Sequence, residues 1–98
     1  MPLDSKLRDQ ERRAVSASIR VVWQDKLGRD RYAVVHAFDI SKKGMRIQLP
    51  EPVETRSILS LQSDGLKLHG SGSVRYYRRE AGWYVAGVEF LAGLDWKP

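Results

Sequence analysis

Asp39, Ser41 and Gly44 stand at fixed spacing in the run Asp39-Ile40-Ser41-Lys42-Lys43-Gly44, and Arg8, Arg12 and Arg13 lie upstream in a stretch dense in both signs of charge. These groups bind rather than react. Guanidiniums fork onto phosphate oxygens, and carboxylate and hydroxyl oxygens accept from N–H groups. No serine has a histidine beside it in a nucleophile motif and no glycine-rich loop leads into a helix, so the expectation is a non-enzyme. His36 and His69 stand on separate apolar runs without a carboxylate pair, and the chain has no cysteine, so neither a metal site nor a disulfide is expected. A net charge of +5 favours an anionic partner, and leaves open a phosphodiester ligand, a nucleic acid or an acidic protein surface.

The elements that hold these residues read as strands. Tyr32, Val34, His36 and Phe38 alternate with Ala33, Val35 and Ala37 before the hexapeptide, and Met45, Ile47 and Leu49 alternate with Arg46 and Gln48 after it. The hexapeptide is therefore a turn between paired strands, with Asp39 and Ser41 bonding nearby N–H groups and Gly44 supplying a positive φ. A first strand is expected from Ser18, with Ile19, Val21 and Trp23 on its buried face. Pro50 and Pro52 mark a loop, and Ile58, Leu59 and Leu61 begin another strand. Ser63-Asp64-Gly65 reads as a hairpin turn, returning along a strand from Leu66 to about Tyr77 in which Gly70 and Gly72 mark a bend. A charged turn, Arg78 to Gly82, precedes a last strand through Phe90.

Six strands with no helix predict an all-β fold, a small six-stranded antiparallel barrel, since closure removes exposed edges. The 98 residues suit one domain: a flexible N-terminal arm over 1–11 and the barrel over 12–98, with little or no C-terminal helix. If the barrel mouth is covered, Leu94 and Trp96 are the candidates. No apolar run has bilayer length and no secretory signal opens the chain, so a soluble, cytoplasmic protein without membrane insertion is expected.

The pattern Asp-x-Ser-x-x-Gly with Arg12-Arg13 upstream resembles the PilZ family, bacterial domains known as receptors for the second messenger cyclic di-GMP. The resemblance runs from about Gln10 to Leu91. It implies a small barrel, no cofactor, and cyclic di-GMP as ligand, held by Arg12, Arg13, Asp39, Ser41 and Gly44, with Arg8 and Tyr77 as possible additions and Tyr76 as the alternative ring for stacking. Arg12 and Arg13 would swing across the barrel face, and Asp39 and Ser41 would bond a guanine edge. The family's N-terminal Arg-x-x-x-Arg motif is altered here. Its second arginine stands just before the first strand, a slot held by Ala17 counting from Arg13 or by Ser16 counting from Arg12. Arg8 and Arg12 have the right spacing but lie further from a strand that begins at Ser18, so the affinity expected is weak.

Two other functions follow from the residues. A domain of this family that has lost the dinucleotide would act as an adaptor for a protein effector, and Ala17 supports that reading. Alternatively, Arg75-Tyr76-Tyr77-Arg78-Arg79 interleaves cations with aromatics and, by alternation, sets Arg75 and Tyr77 on one face, as single-stranded nucleic acid requires. Glu80 and Glu89 nearby make nucleic acid the weaker expectation. If a dianionic ligand binds, the arm before Ser18 and its arginines should order with it.

Overall fold

The computed structural model describes residues 12–96. Six antiparallel strands close into a barrel: β1 (Arg13–Gln24), β2 (Asp30–Ile40), β3 (Gly44–Leu49), β4 (Ile58–Ser63), β5 (Leu68–Glu80) and β6 (Trp83–Phe90). The order around the wall is β1, β2, β3, β6, β5, β4, and β4 closes the circle by pairing with both β5 and β1. A two-residue strand, β7 (Asp95–Trp96), adds to β5 at Leu68 and His69. Among the described residues there is no helix.

Alternation does most of the work. Ile19, Val21, Leu59, Leu61, Ile47 and Leu49 turn inward and are fully buried, each stabilising the fold by roughly 1.5–3 kcal/mol. On β2 the inward face is the small one, with Ala37 in the core, while His36 and Phe38 look outward. Phe38 stacks on Trp83, centroids 5.5 Å apart, so the outer wall has an aromatic covering of its own. As expected, the C-terminal residues cover one end: Leu94 packs onto Gly70, where a Cβ would come within 2.7 Å of the Leu94 backbone, and Trp96 meets Phe90 edge to face.

The register shifts at three places, between Ala14 and Ala17, between Ala37 and Asp39, and between Val74 and Tyr76. On β2 and β5 the shift turns the residues beyond it to the other face, while β1 keeps its alternation through Ala14–Ala17. The bulge at Phe38 lets Ile40 enter the core while Asp39 faces out, so the turn between β2 and β3 shrinks from a hexapeptide to Ser41-Lys42-Lys43.

Several strand limits differ from the sequence expectation. β1 begins at Arg13 rather than Ser18, because pairing with β2 continues to Arg13 opposite Ile40, although Val15 is the one large apolar residue in that stretch. β5 begins at Leu68 and runs on to Glu80. The turn before it spans four residues, with Ser63 paired to Leu68, and the positive φ falls on Lys67 rather than on Gly65. Hydroxyl chemistry stands in for the Asp-Gly turn: Ser63 Oγ accepts from the Leu66 N–H at 3.3 Å.

Candidate functional site

The outward residues near the end of β2 form a row across four strands. Register pairs Asp39 with Arg46 on β3, Arg46 with Gly87 on β6, and Gly87 with Tyr76 on β5. Asp39 is its electrostatic centre, a carboxylate only 5% exposed that accepts from two guanidiniums. Arg12 Nη1 donates to Oδ1 at 2.7 Å and Arg46 Nε donates to Oδ2 at 2.6 Å, with Arg46 Nη2 on the same oxygen. A buried carboxylate requires such compensation. Donating to Asp39 in turn raises the pKa of Arg46 above its usual value.

Arg12 can reach Asp39 because it stands directly ahead of β1. The expectation that the Arg8 and Arg12 pair lies several residues out from the first strand is thus corrected: with β1 starting at Arg13, Arg12 occupies the position just before it. Arg13 has a different place. It pairs with Ile40 and so belongs to the opposite face of the ribbon from Ala14 and Asp39, and the structure does not bring it to the cluster. Arg8 lies outside the described residues, as does the expected arm over 1–11.

Ser41 and Gly44 shape the loop. Ser41 N–H donates to the Gly44 carbonyl at 2.8 Å, and Ser41 Oγ accepts from Lys43 N–H at 3.3 Å. Gly44 does not take the positive φ expected of it. Its need is for space, since a Cβ there would sit 2.1 Å from the Val88 carbonyl oxygen on β6. Beside this loop a groove of about 370 Å³ is lined by Arg12, Ser41, Lys43, Arg75 and Tyr76 among others.

Tyr76, not Tyr77, faces this groove. The Tyr76 ring lies across Gly87, where a Cβ would come 2.1 Å from its Cε2, whereas Tyr77 pairs with inward-facing Ala86 and meets Tyr84 edge to face at 5.8 Å. The bulge before Tyr76 also separates Arg75 from Tyr77. Arg75 turns outward to Glu89, with Nη1 donating at 2.6 Å, and Arg78 pairs with Glu80, so the cation and aromatic stripe proposed for nucleic acid is divided between two faces.

Sequence reasoning missed Arg46 and Lys43 as site residues, and it gave Arg75 only to the nucleic-acid reading, beside Tyr77. Arg46 carried a signal, since a three-residue turn and the bulge at Phe38 place the third residue of β3 beside Asp39; the outward direction of Arg75 beside Tyr76 carried none, because it depends on the bulge. Three cations, Arg12, Lys43 and Arg75, thus line the groove together with Glu89, and Arg46 adjoins them through Asp39, which it shares with Arg12. The arrangement suits a ligand with anionic oxygens and a flat ring. Among the described residues no group of three potential ligands could hold a metal, and no helix is long and apolar enough to cross a membrane.

The search of curated proteins found no match. A family model, PilZ domain, matches residues 6–95, a span that takes in Arg8 as well as the whole barrel and its groove. PilZ domains are in general receptors for cyclic di-GMP, binding and adaptor modules rather than enzymes. With nearly its whole length matched and a closed antiparallel barrel to carry the motif, the chain belongs to the PilZ domain family.

Proposed function

We propose that this protein is a cyclic di-GMP receptor that takes the dinucleotide in the groove beside Arg12, Asp39, Arg46 and Tyr76. The observation that carries this reading is the position of Arg12, immediately ahead of β1 and hydrogen-bonded to Asp39. With that register, Arg8 and Arg12 have the four-residue spacing of the family's arginine motif. The guanidiniums of Arg12, Arg46 and Arg8 meet phosphate oxygens or the O6 and N7 edge of guanine, Asp39 accepts from the guanine N–H edge, and Tyr76 offers its ring to a base. The Arg75 to Glu89 pair is exposed and weak enough to open.

Binding becomes a signal through the segment ahead of β1. As Arg8 engages the ligand, residues 1–11 close over the groove and change the surface that a protein effector meets. Fixing those residues costs about 1–2 kcal/mol each in backbone entropy, so the affinity is modest. Titration calorimetry with cyclic di-GMP tests the proposal: wild type gives saturable heat, Arg12→Ala loses about ten- to a hundredfold in affinity, and Arg13→Ala binds as wild type does. No heat at high ligand concentration, or equal losses from the two variants, contradicts it.

One observation favours a second reading, an adaptor that contacts its effector without the dinucleotide. Both oxygens of Asp39 are already engaged by Arg12 and Arg46, which leaves the carboxylate less to offer a guanine. Capture of an effector indifferent to cyclic di-GMP, together with absence of heat, would favour it.

A further inference from the structure

Across Ser60 and Gln62 of β4 and their partners Ser71 and His69 of β5 the outer wall of the barrel is polar, but on β1 and β2 it is apolar. Register sets Val22 beside Tyr32 and Arg20 beside Val34, all four turned outward. Val22, Tyr32 and Val34 are 37%, 61% and 58% exposed, and they adjoin one another on that face. Single exposed apolar residues are ordinary, whereas a contiguous set marks a contact surface. Toward the far end of β2 the stripe passes into His36 and half-buried Phe38, whose ring meets both His36 and Trp83.

Two charges of opposite sign stand at diagonal corners of this patch. Asp30 on β2 lies beside Gln24, one row beyond Val22 and Tyr32, and Arg20 on β1 lies one row to the other side, beside Val34. Both are exposed, and neither is in an ion pair among the described residues. Asp30 accepts from Gln24 Nε2 at 3.5 Å, and Asp64, which lines the same groove as Arg20, does not bridge to it. Two rows of strand, roughly 13 Å, keep Arg20 and Asp30 of one copy apart. A face with a cation at one corner, an anion at the opposite one and apolar residues between them is complementary to itself. A two-fold axis lying in the face, between Val22 and Tyr32, exchanges the corners, so that each Arg20 lies over Asp30 of the second copy. The chain's net charge of +5 keeps copies apart elsewhere, but on this face the two charges cancel.

From this we infer that the outer face of β1 and β2 is the contact between two copies of this protein, a two-fold dimer whose sheets pack face to face about Val22 and Tyr32, with Arg20 of each copy paired to Asp30 of the other. Sheets packed this way lie about 10 Å apart, a gap that arginine and aspartate side chains bridge. The apolar patch is smaller than that of a permanent dimer, so the association is reversible and grows with concentration. Asp39 stands toward the other end of β2, roughly 20 Å from Tyr32 at the rise of a strand, so the dimer leaves the groove beside Arg12 open and carries two of them. The contact does not depend on what that groove binds.

Sedimentation velocity of the full chain from micromolar to millimolar concentration reads the association, and amide shifts of ¹⁵N-labelled protein over the same range locate it. The inference predicts a rise toward twice the monomer mass, with amide changes centred on Arg20, Val22, Asp30, Tyr32 and Val34. Arg20→Asp and Asp30→Arg each set like charges over one another at both ends of the contact, so each variant alone should self-associate at least about tenfold more weakly than wild type. An equimolar mixture of the two variants should regain the wild-type affinity as a one-to-one pair, which a misfolded variant could not do. Any of four results overturns the inference: a single monomeric species up to millimolar protein, amide changes gathered on another face, self-association of the two variants equal to wild type, or a mixture that associates no better than its components.

Discussion

Asp39 and Gly44 show how the same short motif places one residue for charge and another for space. Asp39 is buried at the crossing of two guanidiniums, so the loop that presents it must bring β2 and β3 close together. Gly44 permits that approach: its Cα faces the Val88 carbonyl so closely that an added methyl has only backbone to push against. Gly44→Ala should therefore separate β3 from β6 and destabilise the barrel by about 1–3 kcal/mol, measured by urea unfolding. Gly87→Ala is a useful contrast. There the methyl meets the Tyr76 ring, which can swing aside, so the variant should lose less stability while moving the ring out of the groove. Equal losses from the two glycines would show that Tyr76 is held as rigidly as backbone.

At the scale of elements, the strands were legible and their bulges were not. Alternation identified the inner residues Ile19, Val21, Ile47 and Leu49 because a half-buried strand repeats every two residues. It misplaced Arg75 relative to Tyr77, and it hid the outward turn of Asp39, because one extra residue at Val74 to Tyr76 or at Phe38 resets the faces with no mark in composition. The start of β1 was hidden for another reason. Arg13 to Ala17 owes its strand to pairing with β2 and carries little apolar patterning of its own. This changes what Ala17→Arg should do. Ala17 pairs with fully buried Ala37, so arginine there should lower the melting temperature and leave cyclic di-GMP affinity no better than wild type; a stable variant with tighter binding would restore Ala17 as the missing arginine slot.

The turn between β1 and β2 carries its own prediction. Asp25 accepts from the N–H groups of Leu27 and Arg29 at 2.9 and 3.0 Å and from Arg29 Nε at 2.9 Å. The Arg29 N–H bond is the main reason that its pKa falls below the usual 3.8. A carboxylate whose pKa is lowered on folding stabilises the native state above its unfolded value, and the gain is lost as pH falls through the folded value. Asp25→Asn should thus be less stable than wild type at neutral pH and converge with it in strong acid, below pH 3.8, as followed by thermal unfolding across pH. A constant difference at every pH would mean that the turn depends on shape rather than on charge.

For the whole molecule, closure of the barrel makes the outer wall available for recognition, because the core consumes only the inward residues. The row from Asp39 to Tyr76 crosses two hairpins that are distant in sequence, β2–β3 and β5–β6, and only the pairing of β3 with β6 assembles it. The most direct test of the receptor reading is a titration of the ¹⁵N-labelled full chain with cyclic di-GMP, following each amide and the arginine side-chain N–H signals. The account predicts saturable shifts concentrated at Arg12, Ser41, Gly44, Arg46, Tyr76 and Gly87, with Arg13 and Tyr77 little changed. Shifts absent at high ligand concentration, or gathered on Arg13, Tyr77 and the β5 to β6 turn instead, would contradict it.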